Sequence, residues 1–171
     1  FKGIKFAPFP VVGAPSGMAL GGGCEILLHC DAVQAHAETY SGLVEVGVGL
    51  IPGWGGCKEM LLRATGAKSG FGGAMPAITS VFQTIGLAKV GRSAADTQKL
   101  GYLRKSDGIT MNRDRLLADA KAKALALAEG YAPPEPQDIK LPGKTARMAL
   151  KMAVRGLAKT RKATPHDLVV V

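Results

Sequence analysis

The sequence is poor in several features that would indicate a common class of function. Aromatic residues make up only 5% of the chain and no basic segment alternates with them, which argues against a surface that stacks single-stranded nucleic acid. No apolar run reaches the roughly 18 residues that a membrane span needs. The first residues, from Phe1, show no signal-peptide pattern. We therefore expect neither a nucleic-acid partner nor a membrane partner.

Cysteine and histidine are too few and too scattered to predict a metal site. Cys24, Cys30 and Cys57 form no Cys-x-x-Cys pair, and His29 beside Cys30 has no second pair of ligands at a workable spacing. An odd set of cysteines of this kind is typical of a reducing environment. The sequence therefore predicts no metal and a cytoplasmic location.

The composition is that of one globular domain with a strong positive charge. The 171 residues are 47% apolar and 20% charged, and this length suffices to bury a hydrophobic core. The net charge of +9 favours acidic partners, among them a phosphate-bearing molecule such as coenzyme A. The chain lacks an initiator methionine and stops on the bare apolar residues 168–171, so we expect it to be a piece of a longer protein.

Hydrophobic spacing and the positions of glycine and proline predict an α/β core followed by helices. The predicted strands cover residues 9–15 and 32–37. Glycine-rich loops are predicted over residues 42–56 and 65–76. The predicted helices cover residues 21–29 and 58–63, start at the caps Ser93 and Asn112, and finish with one from about Lys144.

Two glycine-rich segments each carry a glutamate. SGMALGGGCE ends at Glu25, and YSGLVEVGVGLIPGWGG contains Glu45. Either glutamate alone would more often be a solvated surface residue. Two carboxylates in one pocket can do acid and base work on the same water, because one can hold a proton while the other stays ionised. Consecutive glycines also let a substrate approach the first N–H groups of a helix. The pattern predicts a site that stabilises an anion beside a carboxylate pair.

Residues 19–31 and 42–56 resemble the two signature segments of the crotonase (enoyl-CoA hydratase/isomerase) superfamily, and a weaker similarity covers residues 93–103. The wording IPGWGG is similar to the hydratase module fused to a 3-hydroxyacyl-CoA dehydrogenase in some bacterial fatty-acid oxidation proteins. The resemblance implies a crotonase-like α/β spiral. This chain would supply the C-terminal part of that spiral as a partial core over residues 1–108. A helical region over residues 109–171 would serve assembly and cover coenzyme A.

The resemblance also implies roles for particular residues. Glu25 and Glu45 match the two catalytic glutamates, and Gly22 matches the glycine whose N–H binds the thioester oxygen. The second oxyanion donor of the family lies upstream of anything present in this chain. The remaining implied substrate-binding residues are Ala19, Leu20, Gly21, Leu43, Pro52, Gly53 and Trp54; ordinary core packing is a near-equal alternative for Trp54.

The presence of both glutamates favours hydration of trans-2-enoyl-CoA to 3-hydroxyacyl-CoA in fatty-acid β-oxidation. Double-bond isomerisation, thioester hydrolysis and a catalytically inactive assembly scaffold stay open as alternatives. Coenzyme A would arrive as part of the substrate, so no separate cofactor is expected. The resemblance implies a homo-oligomer, a trimer or dimer of trimers, and a fused or associated 3-hydroxyacyl-CoA dehydrogenase. We expect the isolated chain to be inactive.

A basic stripe on the last predicted helix has two interpretations. Such a stripe is usually a solvated face, but a contact from Arg147 or Lys151 to the phosphates of coenzyme A is the alternative. The residues of the stripe are Lys144, Arg147, Lys151, Arg155 and Lys159.

Overall fold

Short parallel strands and the helices between them build the first part of the chain in the computed structural model, which describes residues 1–66, 73–139 and 141–170. Within those residues the strands are β1 (Val12–Gly13), β2 (Met18–Leu20), β3 (Ala32–His36), β4 (Tyr40–Gly42) and β5 (Gly108–Thr110). The helices are α1 (Lys2–Lys5), α2 (Gly22–His29), α3 (Gly56–Gly66), α4 (Met75–Gly86), α5 (Ala94–Lys99), α6 (Leu116–Ala128), α7 (Lys144–Lys159) and α8 (Asp167–Val170). Residues Glu45–Val48 and Arg113–Arg115 form 3-10 turns.

The chain steps alternately between two parallel sheets. One sheet has the strand order β1-β3-β5, and the other pairs β2 with β4. In the second sheet Leu20 lies opposite Gly42, and the N–H of Gly21 donates to the carbonyl of Gly42 at 2.9 Å. Both strands therefore end at one edge, and the two glycine-rich segments leave the sheet side by side.

Helix α2 lies between two apolar clusters, which fixes its position from two sides. One cluster consists of Cys24, Leu28, Leu43, Met60, Val81, Ile85 and Tyr102. The other consists of Leu27, Cys30, Val33, Ala35, Ala94 and Leu103. Because the helix contributes side chains to both clusters, the residues of its first turn have little freedom to move.

Two arginines bind the carbonyl groups at the C-terminal end of α2. Arg63 donates to the carbonyl of Leu28 at 2.9 Å, and Arg104 donates to that of Cys30 at 3.2 Å. Burial lowers the pKa of Arg63 to about 10, a value at which the guanidinium is still charged at neutral pH. Cations at this end complement the helix dipole and anchor the helix opposite Gly22.

Several predicted elements are confirmed. Helix α2 covers nearly the predicted range, and α3 contains all of the predicted residues 58–63. Ser93 caps α5 by accepting the N–H of Asp96 at 3.1 Å, and α7 begins at Lys144. Asn112 also accepts a backbone N–H, but the segment it caps is a 3-10 turn that precedes α6.

Other predictions were wrong in extent. The strand predicted over residues 9–15 is only the two residues of β1. The loop predicted over residues 65–76 fails at both described ends, since α3 continues to Gly66 and α4 begins at Met75. Its middle, residues 67–72, lies outside the described residues. Helix α4 was missed although Pro76 in its first turn and the apolar residues Ile78, Val81 and Ile85 are typical of a helix.

In the described ranges 1–66, 73–139 and 141–170, no helix combines the length and the apolar character needed to span a membrane.

Candidate active site

Glu25 and Glu45 reach the same region from neighbouring strand ends. Glu25 lies in the first turn of α2, which follows β2, and is only 2% exposed. Glu45 opens the 3-10 turn that follows β4. The charge of Glu25 is among the causes that raise the pKa of Glu45. Two carboxylates thus interact electrostatically at the edge where the two glycine-rich segments emerge.

The Glu25 carboxylate is held by backbone donors of the loop before α3. Its Oε1 atom accepts the N–H of Trp54 at 2.9 Å and the N–H of Gly56 at 2.8 Å. Gly56 is the first residue of α3, so the carboxylate also faces the positive end of that helix dipole. Glu25 Oε1 is therefore arranged as the acceptor of two backbone N–H groups.

Glu45 has the opposite environment. Its Oε2 atom is buried and has no hydrogen-bond partner in the part of the chain that the structure describes. Burial raises the pKa of Glu45 above its ordinary value, and the charge of Glu25 adds to this, against hydrogen bonds from the backbone of Glu45 and Val44 that lower it. The two carboxylates therefore differ in their surroundings: backbone donors hold Glu25 Oε1, whereas Glu45 Oε2 is buried without such a partner among the described residues.

Gly22 begins α2, so its N–H has no acceptor within the helix. The preceding residue, Gly21, adopts a φ of +54°, which favours glycine and turns the chain from β2 into the helix. The indole of Trp54 lies against Gly22, since a Cβ atom built on Gly22 would be only 2.9 Å from Trp54 Cζ3. Only glycine fits there without moving the indole.

The structure places the other predicted substrate-binding residues in two regions, one at β2 and one near the loop before α3. Gly21 lies beside Glu45, because a Cβ atom built on Gly21 would be 3.3 Å from Glu45 Oε1. Ala19 and Leu20 are half-buried on β2.

The remaining three predicted residues, Pro52, Gly53 and Leu43, lie in or next to the loop before α3. Pro52 is buried and Gly53 is exposed. Leu43 is fully buried in the core, where it packs under Gly56. This placement gives Leu43 a supporting position behind the residue that donates to Glu25.

A network of ion pairs centred on the buried Glu59 lies behind Glu25 and was not predicted from the sequence. His29 Nδ1 donates to the carbonyl of Glu25 at 2.7 Å, and its Nε2 lies 3.7 Å from Glu59 Oε1. Glu59 binds Lys5 at 2.5 Å and Lys58 at 3.0 Å. Burial alone would raise the pKa of Glu59, but the two lysines lower it below its ordinary value. The four-residue spacing of Glu25 and His29 on one helix face was the available signal.

A large cavity lies outside the region formed by Glu25, Glu45 and Gly22. It has a volume of about 880 Å³ and opens between the 3-10 turn Glu45–Val48, α4 and the last two helices. Its lining is mostly apolar and includes Phe82, Leu150 and Val154, but none of Glu25, Glu45 and Gly22. Polar residues, among them His166 and Asp167, also line this cavity. We assign the candidate site to the carboxylate pair, because both glutamates and the N–H of Gly22 follow the ends of the two paired strands β2 and β4.

The alternation of the chain between two parallel sheets agrees with the crotonase-like fold that the sequence predicts. The chain belongs to the enoyl-CoA hydratase/isomerase family: the family model described as "Enoyl-CoA hydratase/isomerase" matches residues 1–77. The fold is shared with a crystal structure of enoyl-CoA hydratase from Bacillus anthracis, at a TM-score of 0.59 and 20% identity. That match covers 97% of this chain and 52% of the other.

Relatives with higher identity carry related names. A Bacillus subtilis protein named "Probable 3-hydroxyacyl-CoA dehydrogenase" is 40% identical over 98% of this chain. A Clostridium acetobutylicum protein named "Short-chain-enoyl-CoA hydratase" is 42% identical over 35% of this chain. The matched segments span only 21% of the first relative and 23% of the second.

Proposed function

We propose that the chain carries the carboxylate pair of an enoyl-CoA hydratase, which adds water to a trans-2-enoyl-CoA thioester to give the 3-hydroxyacyl-CoA. The observation that supports this most is the contrast between Glu25 and Glu45. Glu25 is fixed as an acceptor by two backbone N–H groups, while Glu45 is desolvated and has a raised pKa. One carboxylate held as an acceptor and a second one with a raised pKa suit a reaction that needs one base and one acid.

In the proposed reaction both carboxylates contact one water molecule. The water oxygen forms a bond to the β-carbon of the alkene while Glu25 accepts the proton that it loses. Glu45 delivers its proton to the α-carbon, and proton exchange with solvent restores the pair. In this proposal both carboxylates face the same side of the alkene, so both new bonds form on one face, which corresponds to syn addition.

Gly22 would stabilise the negative charge that develops on the thioester oxygen. Its N–H is free of helical partners, and the dipole of α2 points its positive end at the same place. The two arginines at the far end of α2 hold the helix that presents this N–H. We propose that the second oxyanion donor comes from sequence upstream of this chain.

The wider assignments rest on the relatives. The name of the Bacillus subtilis relative supports a fused or associated 3-hydroxyacyl-CoA dehydrogenase, which would consume the proposed product in fatty-acid oxidation. We further propose a homo-oligomer in a reducing, cytoplasmic environment, with coenzyme A entering only as part of the substrate.

The test is the loss of crotonyl-CoA absorbance, measured on this chain and on the same chain extended upstream by about a hundred residues, enough to complete a domain of usual size. We expect hydration by the extended chain and little or none by this chain, since one missing oxyanion donor lowers rates by about 10²–10³-fold. Equal rates would contradict the assignment of half an oxyanion hole.

Matched measurements address the alternatives. Conversion of 3-enoyl-CoA without hydration would favour an isomerase, and release of a free thiol would favour a hydrolase. An extended chain that binds acyl-CoA but catalyses none of these reactions would indicate an assembly scaffold.

A further inference from the structure

Trp54 touches both parts of the proposed reaction site. Its backbone N–H donates to Glu25 Oε1 at 2.9 Å, and its indole lies against Gly22. These are separate contributions, because any residue except proline supplies the N–H whereas only the side chain covers Gly22. A substitution at this position can therefore remove the indole and keep the donor that holds Glu25.

The indole is held in place although its residue is 61% exposed. Gly22 contacts one side of it, and the ring of Phe1 packs edge-on against it with centroids 5.0 Å apart. Phe1 in turn stacks on His29 at 5.3 Å, and His29 is bonded to the carbonyl of Glu25. The indole is thus a braced wall at the open side of the site, not a freely rotating surface side chain.

The position of this wall relates it to the acyl part of the substrate. In the proposed reaction the thioester oxygen binds the N–H of Gly22, and the alkene carbons lie beside Glu25 and Glu45. A side chain that contacts Gly22 within the loop that holds Glu25 borders the carbons next to the thioester. The nucleotide end of coenzyme A, at the other end of a long pantetheine arm, lies farther away.

We infer that the Trp54 indole is a specificity-determining wall that restricts the acyl group of the bound thioester to short chains. This inference rests on the proposed function, because it requires an acyl-CoA at this site. Removing the indole opens space beside the acyl carbons without moving the carboxylates. Longer chains then gain room, while short chains lose apolar contact. One methylene group in an apolar pocket changes discrimination by about 10–200-fold, so the effect of an entire indole is measurable.

The first experiment uses the fluorescence of Trp54, which is the only tryptophan in the sequence. The chain is titrated with butyryl-CoA and with free coenzyme A, neither of which carries a double bond to hydrate. We expect butyryl-CoA to shift the emission and free coenzyme A to leave it unchanged at equal occupancy, with occupancy measured by calorimetry. An identical shift with both ligands, or none with either when both are bound, would overturn the inference.

The second experiment compares dissociation constants of decanoyl-CoA and butyryl-CoA for the original chain and for Trp54→Phe, Trp54→Ala and Leu117→Ala. Leu117 is an exposed apolar residue on α6, which packs on β1 and β3, and serves as the control. In Trp54→Ala the ratio of the decanoyl to the butyryl constant should fall by at least about tenfold. Trp54→Phe should show a smaller change, and Leu117→Ala none. An unchanged ratio in Trp54→Ala refutes the wall.

Both experiments are repeated on the chain extended upstream. The Trp54→Phe variant of that chain lacks the indole at position 54, so its emission is subtracted as the blank. If neither form binds any acyl-CoA, the proposed function fails and the inference fails with it. If acyl-CoA binds and is hydrated but the chain-length ratio does not respond to Trp54, only the inference fails.

Discussion

Two substitutions of Glu25 should separate its role in stability from its role in chemistry. Glutamine keeps an oxygen at the position of Oε1 and can still accept the N–H groups of Trp54 and Gly56. Alanine removes the acceptor and leaves both donors without a partner in a region where Glu25 itself is 2% exposed. Both substitutions remove the carboxylate that the proposed reaction needs.

The magnitudes follow from these hydrogen bonds. The buried N–H of Gly56 left without a partner costs about 1–3 kcal/mol, whereas the partly buried N–H of Trp54 can bind water and loses only about 1 kcal/mol. Glu25→Ala should therefore lower the free energy of unfolding by about 2–4 kcal/mol. In Glu25→Gln two charge-assisted bonds become neutral ones, each weaker by about 1 kcal/mol, and the loss is offset because a buried charge disappears. We expect a net loss of about 0–2 kcal/mol for the glutamine variant.

Urea denaturation of this chain gives the free energies, and crotonyl-CoA hydration by the extended chain gives the activities. We expect both variants to lose hydration by orders of magnitude, while only alanine unfolds at clearly lower urea with an unchanged slope. Equal stability of the two variants would refute the reasoning about the backbone donors. Near-normal turnover by Glu25→Gln would refute the two-carboxylate mechanism.

Other predictions follow from the same groups. Glu45→Gln should also abolish most hydration, and combining it with Glu25→Gln should add little, because both act on one water. Since the folded pKa of Glu45 is raised above 4.5, the contribution of Glu45 to stability is complete below that pH and is lost as pH rises through the folded value. The melting temperature of Glu45→Gln, measured over the same pH range, should lack this loss. The pKa of Glu59 is lowered, so its contribution to stability is present above pH 4.5 and is lost as pH falls through the folded value. Lys5→Met should weaken that acid dependence and lower the free energy of unfolding by about 1–3 kcal/mol. An unchanged acid transition would contradict the ion pair. Light scattering at micromolar concentration should show self-association, and a monodisperse monomer would contradict the proposed oligomer.

Local sequence signals were enough to predict those elements whose ends are set by contacts between residues close in the sequence. Ser93 and Asp96 predict the start of α5 because the cap is a contact between residues three positions apart. Helix α2 was equally predictable, since glycines precede it and its apolar residues recur at helical spacing. The two-residue strand β1 was not predictable as such, because its length depends on how far β3 runs alongside it.

The candidate site, too, was only partly predictable from local sequence signals. That Glu25 and Glu45 belong to one site could be predicted from their glycine-rich segments and from the resemblance those segments carry. The proximity itself follows from the pairing of Leu20 with Gly42, a contact between strands that no local pattern contains. Sequence periodicity predicts which face of an element is apolar, but the identity of its neighbour is decided by the whole fold.

The groups that surround the two glutamates were the hardest to predict from the sequence. The N–H of Gly56 that fixes Glu25 is a backbone atom, and every residue except proline offers the same donor. The raised pKa of Glu45 comes mainly from burial, which depends on elements far along the chain. Lys5 binds Glu59 although the two lie 54 positions apart in the sequence, and Glu59 in turn lies 3.7 Å from His29. A motif therefore identifies which carboxylates are present, whereas the backbone donors that hold Glu25 and the raised pKa of Glu45 are properties of the packed chain.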